Sequence, residues 1–314
     1  MRLPSFIAST VAAAVLVFVA ARLFDSAYAF FAGYVVLQYI VIAIAWNILG
    51  GYTGYVNFGS SAFFGMGAYT AVVLYKVVPL PLPAVVVIGG IVSGIVGLGM
   101  GYLTLRLRGA FFAIATLALL VVLETLIVNW DFVGGGRGTY VIRPQSVALF
   151  GDYIQYLVAI MLTLAVVAII TARVIERSQL GYGFAAIRDD ELAAEASGVP
   201  TLRLKLVATT LSGAFMGMAG APFPYYITYL QPASAFALDY SVNAIAMPMI
   251  GGTTSWPGPL IGAVLLGTLQ QVAGVTLSPT VNLFIVGLLL IVFVVVAPDG
   301  ILGLGRSLRA RWRK

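Results

Sequence analysis

The sequence predicts an all-α polytopic membrane protein: a single bundle of about eight to ten transmembrane helices with broken or re-entrant segments. Three observations carry that expectation. The chain of 314 residues is 61% hydrophobic. Only 9% of its residues are charged, against roughly 25% in an ordinary soluble domain, so it cannot cover a water-facing surface in the usual way. Its apolar residues also fall in runs long enough to cross about 30 Å of hydrocarbon. A soluble protein can bury one or two such helices, but not this many.

In order, the apolar segments are 6–23, 28–49, 57–75, 84–103, 110–129, 154–172, 205–223, 240–250, 258–276 and 281–297. The first resembles a signal peptide in its early basic residue, Arg2, and in the small residues Ala20, Ala21, Ala27 and Ala29. Because many spans follow it, a retained first helix is expected. The eighth segment is too short to cross alone. It is either a half-helix before the break Gly251–Pro259 or a helix extending back to about Phe236. Eight spans with re-entrant pieces fit nearly as well as ten.

Charge placement tests parity. If Arg2 lies inside, the even-numbered connections lie inside too. They carry Arg106, Arg108, Arg173, Arg177, Arg188, Arg203 and Lys205, and the tail adds Arg306, Arg309, Arg311, Arg313 and Lys314. That places 13 of the 17 cations on one side, leaving Arg22, Lys76, Arg137 and Arg143 on the other. The positive-inside rule makes the first side cytoplasmic and the number of spans even, with both termini inside. One membrane domain, 1–314, is expected, with a cytoplasmic loop at 173–204 and a basic cytoplasmic tail at 298–314.

Glycine recurs at intervals of four inside the spans, as Gly90/Gly94, Gly97/Gly101, Gly213/Gly217 and Gly258/Gly262. Small residues one turn apart let helix backbones approach closely, so a tightly packed bundle is expected. Two segments, Asn47–Gly59 and Ile250–Pro259, break apolar stretches with Gly, Pro and small polar residues. Broken backbone at membrane depth survives only against protein or a water-filled path, and such breaks form substrate sites in transporters. The alternative is an ordinary surface turn. Asn47, Asn57, Glu124, Asn243 and Asn282 are polar residues within or near spans and are candidates for a lined path. Glu124 either faces that path or pairs with an arginine near an interface.

Several chemistries are excluded. Cysteine and histidine are absent, which removes thiolate nucleophiles, disulfides, imidazole bases and most zinc or haem sites. The carboxylates form no metal-centre pattern, so no catalytic residue, metal or cofactor is expected. The net charge of +6 is modest and the membrane explains its distribution, so no nucleic-acid partner is expected. No Gly-rich loop ends in Gly-Lys-Ser/Thr, so the chain has no P-loop and any ATP is hydrolysed by another subunit.

The loop at 173–204 predicts a short helix over about 191–196, capped by Asp189 or Asp190, with Glu191 in its first turn and Gly198 and Pro200 stopping it. Gly181 and Gly183 read as a flexible lead-in. The helix is either a docking element for a partner or a solvated connector.

Several motifs then carry a resemblance: Gly59-Ser60-Ser61-Ala62-Phe63-Phe64-Gly65-Met66-Gly67-Ala68-Tyr69-Thr70, Thr104–Gly109 followed by Phe112–Leu117, Gly134–Gly138, Gly181–Gly198, and Gly251-Gly252 on to Gly258–Ala263. In their order and spacing, over about residues 30–300, they resemble the LivM permeases of branched-chain amino acid ABC importers. The resemblance implies a non-catalytic permease subunit in a bacterial inner membrane. Its partners would be a homologous second permease, two cytoplasmic ATPase subunits that use the ATP, an external (periplasmic) solute-binding protein, the small-molecule solute and membrane lipid. Branched-chain or related hydrophobic amino acids would move inward by alternating access. By the same analogy, Ala186, Arg188, Asp190, Glu191, Ala194, Glu195 and Gly198 would couple the chain to the ATPases. The chain departs from the usual pattern at Tyr55, Asn57 and Thr254, as a branch carrying urea, short amides or another small polar solute would. With the two breaks, these positions make Asn47, Tyr55, Asn57, Asn243, Thr253 and Thr254 the candidate substrate path. A proton-coupled secondary carrier using Glu124 is a further alternative.

Overall fold

The structure is a computed structural model that describes residues 3–23, 26–143, 146–147, 150–276, 284, 287–288, 291 and 300–304. Nine of the ten apolar segments fall on long helices. These are α1 (Leu3–Leu23), α2 (Ala27–Thr53), α3 (Ser60–Val77), α4 (Leu82–Thr104), α5 (Ala110–Val128), α6 (Tyr153–Glu176), α9 (Thr201–Gly220), α12 (Leu238–Gly251) and α13 (Pro257–Thr276). Short helices lie between them: α7 (Gln179–Asp189), α8 (Glu191–Ala196), α10 (Phe223–Ile227) and α11 (Pro232–Ala235). Apart from four isolated positions, the tenth segment lies outside the described residues. So do Asn282, Arg2 and the basic tail beyond residue 304.

Six helical stretches are long and apolar enough to cross a membrane among the described residues: Leu3–Leu23, Tyr28–Thr53, Leu82–Thr104, Ala110–Val128, Tyr153–Glu176 and Thr201–Ile227. The chain is an all-α, multi-pass membrane bundle. At 14 residues, α12 is about 21 Å long and falls short of a full crossing. It begins at Leu238, close to the extended start near Phe236 that the sequence allowed.

Helices α2 and α9 form the centre. α9 packs against α4, α2 and α3, and α2 packs against α6, α12 and α13. Glycine makes the closest of these crossings possible. A Cβ on Gly97 of α4 would lie 3.6 Å from the Cα of Gly213 on α9, and a Cβ on Gly67 of α3 would lie 2.1 Å from the Gly217 carbonyl oxygen. The expected close packing at small residues is therefore present. Buried polar bonds reinforce it: Ser93 Oγ donates to the Phe63 carbonyl (2.9 Å), and Gln38 Nε2 donates to the Ala219 carbonyl (3.2 Å). Such bonds between membrane helices each contribute about 0.6 kcal/mol.

The connections gather at two ends, alternating along the chain. At one end, Arg22 Nη2 donates to the Phe150 carbonyl (2.9 Å) and Lys76 Nζ to the Phe132 carbonyl (2.8 Å). There β1 (Thr139–Tyr140) pairs antiparallel with β4 (Tyr229–Leu230), and β2 (Ser146–Val147) pairs with β3 (Gly151–Asp152). At the other end meet the connections after α2, α4, α6 and α12. Tyr55 and Arg108 both reach Glu191, and the Trp256 amide donates to Glu176 Oε2 (3.4 Å). This is the grouping that the parity of the charge pattern requires.

Candidate functional site

The segment after α6 folds as two helices in sequence. Ser178 caps α7 by accepting from the Gly181 amide (3.4 Å), and Leu180, Phe184 and Ile187 form an apolar stripe, with Phe184 and Ile187 buried. The stripe follows helical spacing, so the expected flexible lead-in is a helix instead. Its glycines serve closeness. A Cβ on Gly181 would lie 2.2 Å from the Ile175 carbonyl oxygen, and one on Gly183 2.6 Å from Leu204 Cδ1. Asp190 then caps α8, its Oδ1 accepting from the amides of Leu192 (2.9 Å) and Ala193 (3.1 Å). The expected stop at Gly198 is also present, with φ at +85°.

Two faces of α8 differ. Glu191 and Ala194, three residues apart, point toward the bundle. Leu192 and Glu195 are exposed, Leu192 by 64%. Glu191 is the hub of a polar cluster. Lys205 Nζ, from the first turns of α9, donates to Glu191 Oε1 (2.7 Å), to the Tyr55 hydroxyl (3.0 Å) and to the Leu105 carbonyl at the end of α4 (3.0 Å). The Tyr55 hydroxyl donates to Glu191 Oε2 (2.5 Å). Arg108 adds an ion pair to Oε1 at 3.6 Å, from a half-exposed side chain. Lys205 also stands 4.7 Å from the centre of the Tyr55 ring, against whose edge Phe112 packs. Burial alone pushes the Glu191 carboxyl up. The hydrogen bonds from Lys205 and Tyr55 and the charges of Lys205 and Arg108 outweigh it and hold the carboxyl below its ordinary value.

Beside this cluster lies a cleft of about 510 Å3, lined among others by Gly54, Tyr55, Arg108, Phe112 and Arg188. Gly54 ends α2 in the left-handed region (φ +78°), and a Cβ there would meet Arg188 Cγ at 3.3 Å. Of the residues expected to couple, Ala186 and Arg188 lie on α7, Asp190 is the cap of α8, Glu191 and Ala194 face the bundle, and Glu195 and Gly198 are exposed.

The six expected path residues make different contacts. Tyr55 belongs to the Glu191 cluster. Asn47 Nδ2 donates to the Thr253 carbonyl (3.1 Å), joining α2 to the break after α12. Thr254, next to it, is exposed. Asn57 is buried, with Oδ1 accepting from the Gly59 amide (2.8 Å) and its carbonyl accepting from Trp46 Nε1 (2.9 Å). Asn243 Oδ1 accepts from Gln270 Nε2 (2.7 Å) between α12 and α13. Glu124 is half-buried on α5 and makes no ion pair among the described residues. Also among the described residues, no group of three His, Cys, Asp or Glu side chains could hold a metal ion.

A family model described as branched-chain amino acid transport system / permease component matches residues 27–294. The chain belongs to this family. The permease protein LivM of the high-affinity branched-chain amino acid transport system of Salmonella typhimurium is 27% identical over 293 residues, covering 85% of this chain and 68% of that protein. LivM of Escherichia coli K12 is also 27% identical over 293 residues, with the same coverage. A probable branched-chain amino acid transport permease protein LivH of Methanocaldococcus jannaschii is 26% identical over 229 residues, covering 68% of this chain and 70% of that protein. No solved structure matches the chain. As a branched-chain amino acid permease-family member it is a transport permease. Its Glu191 cluster then joins the connections of a transport bundle to a short projecting helix. In the sequence Lys205 reads only as an inside cation, and Arg108 as an inside cation within the Thr104–Gly109 motif. The one local signal for Lys205 is its place between Leu204 and Leu206 at the head of a span.

Proposed function

We propose that this chain is a LivM-type permease subunit of an ATP-binding-cassette importer in a bacterial inner membrane, moving branched-chain or related hydrophobic amino acids inward by alternating access. A homologous second permease would complete the membrane path, two ATPase subunits would dock at the end carrying α7 and α8, and an external binding protein would deliver solute to the opposite end. By the charge rule the α7–α8 end is cytoplasmic. The observation that carries the reading is the Glu191 cluster: in a chain of this family, a short projecting helix is hydrogen-bonded to Lys205 at the head of α9 and to Tyr55 of the α2–α3 connection, and Lys205 in turn holds the end of α4. The cargo rests on the names of the relatives. Two departures that point to another solute, Tyr55 and Thr254, lie in connections at the α7–α8 end, and Tyr55 is bonded to Glu191 and Lys205 there. Residues of the interior, Asn47, Asn57 and Asn243, remain the proposed path.

The test is uptake by the permease, co-expressed with its partner subunits and reconstituted in proteoliposomes. ATP-dependent accumulation of labelled leucine, isoleucine or valine is expected. Accumulation of urea or a short amide instead would replace the cargo, and uptake that persists without the ATPases would replace the mechanism with a secondary carrier.

A further inference from the structure

Lys205 matches no motif and touches no candidate path residue except Tyr55. Its side chain is 4% exposed, so its charge has left water, a cost that only close partners offset. An ammonium has three N–H donors. All three are used, on Glu191 of α8, Tyr55 of the α2–α3 connection and the carbonyl of Leu105 at the end of α4. One compact group thus holds three elements to the first turns of α9, the helix at the centre of the bundle. The planar fork of an arginine cannot aim at three acceptors spread around a point.

The link matters because α8 has little else. Of its six residues only Ala194 is buried, and an alanine methyl offers little apolar area to hold a helix in place. The polar cluster is therefore the principal tie between α8 and the transmembrane helices.

We propose that Lys205 is the positioning residue through which displacement of α8 is transmitted to α9, α4 and the α2–α3 connection together, so that the bundle responds as a unit. The proposal rests on the importer reading given above. Without Lys205, α8 can move while the helices stay.

The test has two arms, both in the full complex. The chain has no cysteine, so a spin label at Leu192→Cys reports α8 alone. Lys205→Met should raise its mobility, and an unchanged spectrum overturns the proposal. In the second arm, uptake per ATP hydrolysed is compared in complexes shown by co-purification to be intact. Lys205→Met should lower that ratio about tenfold, within the range of known coupling between sites. Lys205→Arg should recover only part of it. If the Met variant fails to accumulate, Tyr55→Phe, which leaves the ammonium paired with Glu191, should lower the ratio in the same direction by less. A normal ratio in intact variant complexes overturns the proposal while the importer reading stands. Wild-type uptake that needs no ATP overturns both.

Discussion

Glu191 of α8 and Lys205 of α9 face each other at 2.7 Å, with side chains 13% and 4% exposed. Removing one member of so buried a pair strands the other, at a cost of about 3–5 kcal/mol, whereas replacing both with apolar groups is often neutral. Lys205→Met and Glu191→Leu alone are each expected to lower the midpoint of thermal inactivation in detergent. The double variant should regain most of the loss. A double variant as unstable as the sum of the two would show that the pair does not act as a unit.

Acid should loosen the same contact. The Glu191 carboxyl is held below its ordinary value in the folded chain: burial raises it, and Lys205, Tyr55 and Arg108 more than reverse that. A carboxyl lowered on folding contributes stability in full above the unfolded value, about 4.3, and loses it as pH falls through the folded value. Stability should therefore show no Glu191 contribution to its pH dependence between neutrality and about pH 5. Below about pH 4 the contribution should begin to decline, and it is gone once pH has fallen through the lower folded value. Glu191→Gln should start lower at neutral pH and fall less steeply in acid. Thermal inactivation measured across pH checks both slopes, and parallel curves for the two proteins would refute the assignment.

The glycines of the spans separate into those that touch and those that do not. A Cβ on Gly217 would lie 2.2 Å from Ser93 Oγ and 2.7 Å from the Gly89 carbonyl oxygen, while one on Gly99 meets nothing within 4 Å. Gly217→Ala is expected to force α4 and α9 apart, costing about 1–3 kcal/mol or more. Gly99→Ala should be harmless, since alanine is the better helix former by about 1 kcal/mol. The yield of monodisperse permease on size-exclusion chromatography distinguishes them.

The difference between those two glycines marks how far the sequence could be read. Span positions, the parity of connections and the existence of close glycine crossings are local or summed properties, and run length, cation placement and spacing of four carry them. Which glycine touches depends on helix rotation, which spacing does not encode. Asp190 as a cap and Gly198 as a stop were legible because capping acts within three or four residues. Gly181 and Gly183 were misread as flexible because the Ile175 carbonyl and Leu204 side chain that they accommodate are brought there by the fold. The Glu191 cluster was illegible for the same reason: Tyr55 stands 136 residues from Glu191 in sequence. In the sequence Tyr55 reads as a path candidate because it departs from the family's pattern within a break, and only the fold brings that break against α8.

Gly198 supplies a prediction in which shape and space give opposite answers. The family resemblance implies that Gly198 couples the chain to the ATPases, so a bulky residue there would be expected to obstruct that contact. In the structure a Cβ at Gly198 meets nothing within 4 Å, but φ is +85°. The backbone, not the space, demands glycine. A β-branched residue is costly in the left-handed region, whereas asparagine is among the non-glycine residues that tolerate it best. Gly198→Val is therefore expected to shift the end of α8 and reduce ATP-driven uptake severely, while Gly198→Asn, similar in bulk, should retain most of it. Uptake in proteoliposomes at equal permease content makes the comparison. Equal loss in both variants would mean that size at the surface, and so contact with a partner, sets the requirement; equal activity would mean that the turn at Gly198 plays no part in transmitting motion from α8.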